Sequence, residues 1–289
     1  MRLDPECVPC LLARVRFESG LAAPGRSIEA VLAAAREVAA SSPDDVSAEV
    51  ASRAHRAAYA ALGTEDPYAD IKRASNEVAL RLLPRAREML ESSADDDRLR
   101  TAALLSIVGN VLDSGIKGGL EDVRRLEHEF EHLVSQGLGR DDTDAMAALL
   151  APGAEVAYLA DNCGEVVLDT LLMDELRSRG CRVALVVKGR PILTDATLKD
   201  VDALGLAAHA DAVLDTGQFA VGIDLGTLPH ATRDAILGAD LVVSKGMANF
   251  ESLSDAGIRP IAYLLRTKCH PVARTLGEAK DINVVKLYK

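Results

Sequence analysis

Residues 159–172 have the sequence LADNCGEVVLDTLL, and this stretch decides the fold. It continues an apolar run that is typical of a buried strand and ends with the apolar spacing of a helix. Between the two stand Asp161 and Asn162, where nucleotide-binding folds usually have glycines. A strand that passes directly into a helix indicates an α/β protein. The stretch also raises the question of why a carboxylate and a carboxamide should follow a buried strand.

The chain has different patterns before and after residue 150. In the first part, apolar residues recur at three- and four-residue spacing, which predicts successive helices. After Pro152, short apolar runs alternate with helical patterns, and this alternation is typical of a mostly parallel sheet. We therefore expect an α/β protein with a helical domain over residues 1–150 and a Rossmann-like domain over residues 151–289. The predicted strands lie in EVAYLAD, CRVALVVKG, ADAVLDTG, ADLVVSKG, RPIAYLLR and INVVKLY.

Composition excludes several classes of function. The net charge of −11 repels phosphate backbones and anionic membranes, so we expect neither nucleic acid nor a membrane as a partner. The first residues lack the pattern of a secretion signal, and no apolar run approaches the ~18 residues of a membrane span. Five cysteines, an odd number, fit the reducing cytoplasm, where we expect the protein to be. A small phosphorylated ligand is compatible with the charge, because a bound divalent metal can invert the local field.

Polar residues follow the first two predicted strands. Asp161 and Asn162 come after the first, whereas Lys188 ends the second and Asp195 lies in the loop beyond it. Ligands of open parallel sheets bind beyond the carboxyl ends of the strands, so these side chains are expected to converge. Carboxylate and amide oxygens suit a hard cation such as Mg²⁺ or Mn²⁺. For Asp161 and Asn162, the local pattern by itself favours metal binding and simple helix capping about equally.

A further strand end carries Lys245, Gly246 and Asn249 in the segment SKGMANFE. A lysine beside a glycine at a strand end is typical of phosphate binding, because it combines a point charge with close backbone amides. The alternative is a solvated lysine in a turn. Three polar strand ends in one predicted sheet strengthen the case for a phosphate-binding metal site.

Several segments together resemble the metal-dependent damage-control phosphatases, also called the acidic-residue-methyltransferase-like family. In the second half these are DNCGEVVLD, VKGRPILTDAT and SKGMANFE. In the first half, CVPCLLARV, DPYADIKRASNEVAL and GNVLDSGI resemble the short microbial branch with an N-terminal CxxC. The resemblance spans nearly the whole chain. It implies a helical subdomain packed on a three-layer α/β/α domain, with one divalent metal (Mn, Mg, Co or Ni) between them.

The resemblance also implies roles for individual residues. Asp161, Asn162 and Asp195 match the metal ligands, and Asp161 is either a ligand alone or the group that attacks phosphorus. Lys245 matches the phosphate-binding lysine, and Asn249 its neighbouring asparagine.

Other positions are implied to lie around the substrate. Asn110 and Asp113, in GNVLD, match residues of the helical part that face the cleft. Glu165 fits the DNxGE pattern of the short branch, and Lys188 is placed near the site. With Gly246 beside the phosphate-binding lysine, these residues complete the expected substrate-binding set.

The implied activity is hydrolysis of phosphate monoesters of small metabolites, such as sugar phosphates or damaged phosphometabolites. The metal would polarise a phosphoryl oxygen, and Lys245 would balance the charge that develops on the phosphate. One alternative is an S-adenosylmethionine-dependent carboxyl methyltransferase, which the single glycine of ADNCGEV disfavours. A non-catalytic metal-binding protein is the other alternative, and the presence of all the implied ligands and of Lys245 disfavours it.

Two short motifs have weaker interpretations. HEFEH, at residues 128–132, has the form of a zinc-protease motif but lies in a charged, amphipathic stretch, so that interpretation is not favoured. Cys7 and Cys10 form a CxxC that could meet Cys269 in a soft-metal site. Buried free thiols are the more expected outcome for these cysteines. His55 has no partner pattern in the sequence.

Overall fold

A computed structural model describes residues 1–109 and 129–289 of the chain. The first half is helical, as the apolar spacing predicts. In α3, the residues Val50, Ala54, Ala58 and Leu62 are spaced four apart, and all are buried along one face of the helix. The helix ends where Gly63 adopts a positive φ of 72°. The helices of this half are α1 Cys7–Ala22, α2 Ser27–Ala39, α3 Ser47–Leu62, α4 Ala69–Glu91 and α5 Arg98–Gly109.

Among the described residues, those from 140 onward form a sheet of seven strands in the order β1-β7-β6-β5-β2-β3-β4. The five strands from β6 to β4 are parallel to one another, whereas β7 is antiparallel to β6. This arrangement confirms the predicted α/β class with a mostly parallel sheet. The strands are β1 Arg140–Asp141, β2 Glu155–Leu159, β3 Arg182–Val187, β4 Ala212–Asp215, β5 Leu241–Lys245, β6 Ile261–Arg266 and β7 Asn283–Tyr288.

Apolar side chains cover both faces of the sheet. Along β2, Val156 and Tyr158 belong to one core, whereas Ala157 and Leu159 belong to the core on the opposite face. Burying each large apolar side chain contributes roughly 1.5–3 kcal/mol, so the strands need helices on both sides. Helix α5 of the first half packs against α7 on one face. The helices of this half are α6 Thr143–Ala147, α7 Glu165–Ser178, α8 Leu198–Leu204, α9 His230–Leu237, α10 Gly246–Leu253 and α11 His270–Leu276.

The order of the strands reverses at β2. From β2 the chain continues outward to β3 and β4 on one side, then returns to place β5 and β6 on the other side. The connections that leave the carboxyl ends of β2 and β5 therefore diverge, and such a switch point opens a crevice for ligands.

The short strand β1 lies before residue 150 and pairs with β7. It was not among the predicted strands. The division of the chain at residue 150 stays a prediction. No helix within residues 1–109 and 129–289 is both long and apolar enough to cross a membrane.

Candidate functional site

Asp161 and Asn162 lie directly beyond the end of β2, at the switch point of the sheet. The chain there pairs with the loop after β3. The Ala196 amide donates to the Asp161 carbonyl at 2.8 Å, and the Cys163 amide donates to the Thr194 carbonyl at 2.8 Å. Asn162 and Asp195 form an isolated antiparallel bridge between these two segments. The backbone thus brings the three predicted metal ligands together.

The side chains of this segment have defined partners. Asn162 Nδ2 donates to Asp161 Oδ2 at 2.7 Å and to Glu165 Oε2 at 3.2 Å. The Thr194 hydroxyl donates to Asn162 Oδ1 at 2.8 Å. These contacts fix the orientation of the Asn162 amide and leave its carbonyl oxygen with capacity for a further partner.

Asp161, Asn162 and Asp195 all line one cleft of about 470 Å³. They are buried apart from this opening. Two carboxylates and an amide oxygen form a donor set that fits a hard divalent cation. Within the described part of the chain, no cluster of three or more His, Cys, Asp or Glu could hold a metal. The predicted donor set is of a different kind, because it combines two such residues, Asp161 and Asp195, with the amide of Asn162.

Both halves of the chain form the walls of the cleft. Helices α1 and α3 contribute one side, which includes Arg14 and His55. The other side includes Met247 of α10 and the segment from Lys268 to His270. The opening therefore lies between the helical half and the carboxyl ends of the strands.

Lys188 lies beside the predicted metal ligands. Its ammonium is 3.5 Å from Asp195 Oδ2 and donates to the Gly222 carbonyl. The side chain is buried. In this position Lys188 balances the charge of Asp195 and holds the loop after β4 against it.

Lys245 is fully buried, and its ammonium contacts carboxylates. It donates to Glu165 Oε1 at 2.6 Å, to Asp169 Oδ1 at 2.6 Å and to the Ser106 carbonyl at 3.2 Å. Burial disfavours the ammonium, but Asp169 and Glu165 outweigh it and raise the pKa of Lys245. Burial raises the pKa of Asp169 to about 6, although Lys245 acts in the opposite direction. The predicted contact of Lys245 with phosphate stays a prediction.

Asn249 connects the ends of the two strands at the switch point. Its Nδ2 donates to the Ala160 carbonyl at 3.1 Å and to the Lys245 carbonyl at 2.9 Å. Its Oδ1 is buried without a hydrogen-bond partner among residues 1–109 and 129–289. Asn249 therefore holds β2 and β5 together, and its predicted role in substrate binding stays a prediction.

Gly246 is required by its position against Asp161. Its φ is +75°, and a Cβ there would overlap the Asp161 carboxylate. Gly257 has a similar φ of +71° but open space around it, so it is a matched control. We expect Gly257→Ala to cost about 1–2 kcal/mol of stability from its backbone alone. Gly246→Ala should cost about 1–3 kcal/mol more because of the overlap, and should displace Asp161.

Denaturant unfolding of both variants measures this difference, and phosphate release measures the displacement. If Gly246→Ala lost no more stability and activity than Gly257→Ala, the close approach to Asp161 would have no consequence.

Some predicted residues belong to the part of the chain that the structure does not describe. Asn110 and Asp113 fall outside the described residues, as does the first histidine of HEFEH. Cys7, Cys10 and Cys269 line the same cleft as the predicted ligands and are free thiols. The expectation that they are buried was wrong, because Cys10 is exposed and the other two are half-buried. Within the described residues they do not form a cluster that could hold a metal. Burial raises the pKa of Cys7, and it raises the pKa of Cys269 to about 11, so both are thiols at neutral pH.

Three residues of the site were not predicted. Asp169 follows Glu165 by one helical turn, and this spacing within GEVVLD was the available indication. Ser106 donates its hydroxyl to Asp169 Oδ1 at 2.8 Å from α5. Asn76 of α4 accepts the Gly164 amide at 2.6 Å and so supports the turn before α7. The last two contacts join distant segments, and no local pattern indicates them.

Comparison with known proteins identifies the family. Residues 3–284 match the family described as the damage-control phosphatase ARMT1-like domain. A damage-control phosphatase of Archaeoglobus fulgidus is 42% identical over 282 residues, which cover 96% of each chain. One from Pyrococcus horikoshii is 31% identical over 223 residues, covering 77% of this chain and 75% of that one.

The similarity extends to three dimensions. The crystal structure of a DUF89 family protein from Pyrococcus horikoshii superposes with a TM-score of 0.89. Its sequence is 28% identical, and the superposition covers 100% of both chains. With the family match spanning nearly its whole length, the chain belongs to the ARMT1-like damage-control phosphatases and is a hydrolase of the phosphatase class.

Proposed function

We propose that the protein is a metal-dependent phosphatase that hydrolyses phosphate monoesters of small metabolites, such as sugar phosphates or damaged phosphometabolites. The observation that carries the proposal is the convergence of Asp161, Asn162 and Asp195 on one cleft at the switch point of the sheet. Membership of a phosphatase family supports the reaction class.

Asp161, Asn162 and Asp195 would hold the divalent metal. Their oxygen donors favour Mg²⁺ or Mn²⁺, with Co²⁺ and Ni²⁺ as alternatives. When bound, such an ion supplies a Lewis acid that polarises a phosphoryl oxygen. Glu165 accepts from Asn162 and from Lys245, so the buried lysine orients the Asn162 amide through Glu165.

Basic residues on the cleft wall support an anionic substrate. Arg14, Lys268 and Lys280 line the same opening as the predicted metal ligands. They offset part of the negative charge of the carboxylate residues that line the same opening, which are Glu6, Asp161, Asp195 and Glu251. Ammonium and guanidinium groups form strong hydrogen bonds with phosphate oxygens. A cleft of about 470 Å³ has the size of a small-metabolite site.

Adding single metals back to metal-stripped protein should restore phosphate release. We expect turnover of p-nitrophenyl phosphate with Mg²⁺, Mn²⁺, Co²⁺ or Ni²⁺. Turnover with the stripped protein should be low, because the proposed reaction then lacks its Lewis acid. A panel of sugar phosphates, assayed with the best metal, ranks the substrates. Circular dichroism of the stripped protein serves as the folding control.

Equal turnover with and without metal would contradict the metal dependence. Absence of phosphate release with every metal, in folded protein, would contradict the phosphatase itself and favour a non-catalytic metal-binding protein.

A further inference from the structure

A buried histidine–carboxylate pair lies in the helical half, and the proposed metal ligands do not include it. His55 of α3 has its Nδ1 at 3.0 Å from Glu18 Oε1 of α1. The exposed fractions of the two side chains are 1% and 0%. The two partners lie on different helices, α1 and α3, which pack against each other.

His55 faces the cleft that contains Asp161, Asn162 and Asp195. Its Nδ1 is directed at Glu18, and Nε2 makes no hydrogen bond with the described residues. Nε2 is therefore the ring nitrogen that is available to a molecule in the cleft. Sequence reasoning missed the pair because its members are 37 residues apart on different helices.

A second contact positions this histidine relative to the loop that carries Asp195. The His55 ring packs edge-on against Tyr59, with centroids 6.2 Å apart and an interplanar angle of 69°. The Tyr59 hydroxyl accepts the Leu193 amide at 3.1 Å, two residues before Asp195. The ring and the predicted metal ligand are thus linked through one tyrosine.

The charge of Glu18 determines which ring form is suited to the site. Its Oε2 is buried without a hydrogen-bond partner among the described residues, so His55 is the compensating contact. A carboxylate in this position holds a proton on Nδ1 and compensates the charge when Nε2 also carries one. An imidazole so oriented can donate the Nε2 proton to a substrate oxygen.

We propose that His55 is the general acid that protonates the leaving group, and that Glu18 positions it. This role of His55 rests on the proposed function. Water adds to phosphorus, the bond from phosphorus to the ester oxygen breaks, and its electron pair goes to that oxygen. The leaving oxygen takes the proton from Nε2 and departs as an alcohol. The attacking water loses a proton to solvent, the ring regains one from solvent, and inorganic phosphate is the other product. The class of substrate is a phosphate ester of a poorly acidic alcohol, which needs such a proton.

Variation of the leaving group tests the role of His55. We expect His55→Gln to lower kcat/KM for phenyl and alkyl phosphates by about 10²–10⁴-fold. Turnover of p-nitrophenyl phosphate should fall far less, because nitrophenolate leaves without a proton. Glu18→Gln should also lower kcat/KM for phenyl and alkyl phosphates more than for p-nitrophenyl phosphate, but by a smaller factor. If His55 had only a structural role, its substitution would lower kcat/KM equally for all substrates.

His209→Gln is the matched control. His209 has its Nδ1 at 2.8 Å from Asp174 Oδ1, but the pair is partly exposed and does not line the cleft. The variant His209→Gln should leave unchanged the ratio of kcat/KM for alkyl phosphates to kcat/KM for nitrophenyl phosphate. An equal loss on all substrates in His55→Gln, or no loss on any, would overturn the proposal while leaving the phosphatase intact.

The unmodified protein gives an independent readout if His55→Gln fails to fold. Protonation of the leaving oxygen predicts that kcat/KM depends only weakly on leaving-group pKa across a series of aryl phosphates. A steep dependence would overturn the role of His55. Failure of the unmodified protein to release phosphate from nitrophenyl phosphate with any metal would instead remove the proposed function, and this inference with it.

Discussion

Asp161→Asn is expected to lower metal-dependent phosphate release by about 10³-fold. If Asp161 is a metal ligand, as proposed, removing its charge forfeits several kcal/mol of transition-state stabilisation, and about 4 kcal/mol corresponds to that factor. The substitution keeps the shape of the side chain, so it tests the charge and not the packing. It also places an amide beside Asn162 Nδ2, which now donates to Asp161 Oδ2. Phosphate release at saturating metal, with calorimetric titration of Mn²⁺, measures both effects.

The control for Asp161→Asn is the same change at Asp70, an exposed residue of α4 that pairs with Arg73. Asp70→Asn should leave activity and metal binding unchanged. Asp161→Asn that keeps more than about a third of the turnover, with unchanged metal affinity, would remove Asp161 from the ligand set.

Lys245→Met is expected to lower the free energy of unfolding by about 3–5 kcal/mol. Methionine fills the space but leaves Glu165 and Asp169 buried without a counter-ion, and breaking a buried pair on one side has this cost. Denaturant unfolding measures the loss. Activity should fall as well, because Glu165 also accepts from Asn162.

The double variant Lys245→Met, Asp169→Asn separates charge from packing. It should be less destabilised than the sum of the two single changes, since the second removes one of the uncompensated carboxylates. Arg73→Met, which breaks an exposed pair, should have little effect. A loss below about 1 kcal/mol in Lys245→Met would show that the buried carboxylates carry no charge in the folded protein.

The sequence predicted the strands that build the site, because parallel strands buried on both faces are continuous apolar runs. The six runs from EVAYLAD to INVVKLY all contain strands of the sheet. Strand β1 was missed because its two residues, Arg140 and Asp141, are polar and exposed, and only pairing with β7 defines them. No apolar pattern exists for such an element.

The predictions for side chains depended on strand ends. Asp161, Asn162 and Asp195 were expected to converge because they follow neighbouring strands, and the structure brings them to one cleft. The partners of Lys245 were not predictable, because they depend on how α7 lies against β5. A pattern local to SKGMANFE contains nothing about Asp169 on another helix.

The ion pairs of Lys245 also bear on the order in which the protein is made. Glu165 and Asp169 leave the ribosome 80 and 76 residues before Lys245. A nascent chain that stops short of β5 carries two carboxylates that belong in the interior and lacks the ammonium that compensates them. Such a chain has strands β2 to β4, but packing them against α7 would bury two carboxylates without a counter-ion. Translation of β5 supplies the neighbouring strand of β2 and the compensating ammonium together, so the crevice between β2 and β5 should form in one event, before β6 and β7 are added to the sheet.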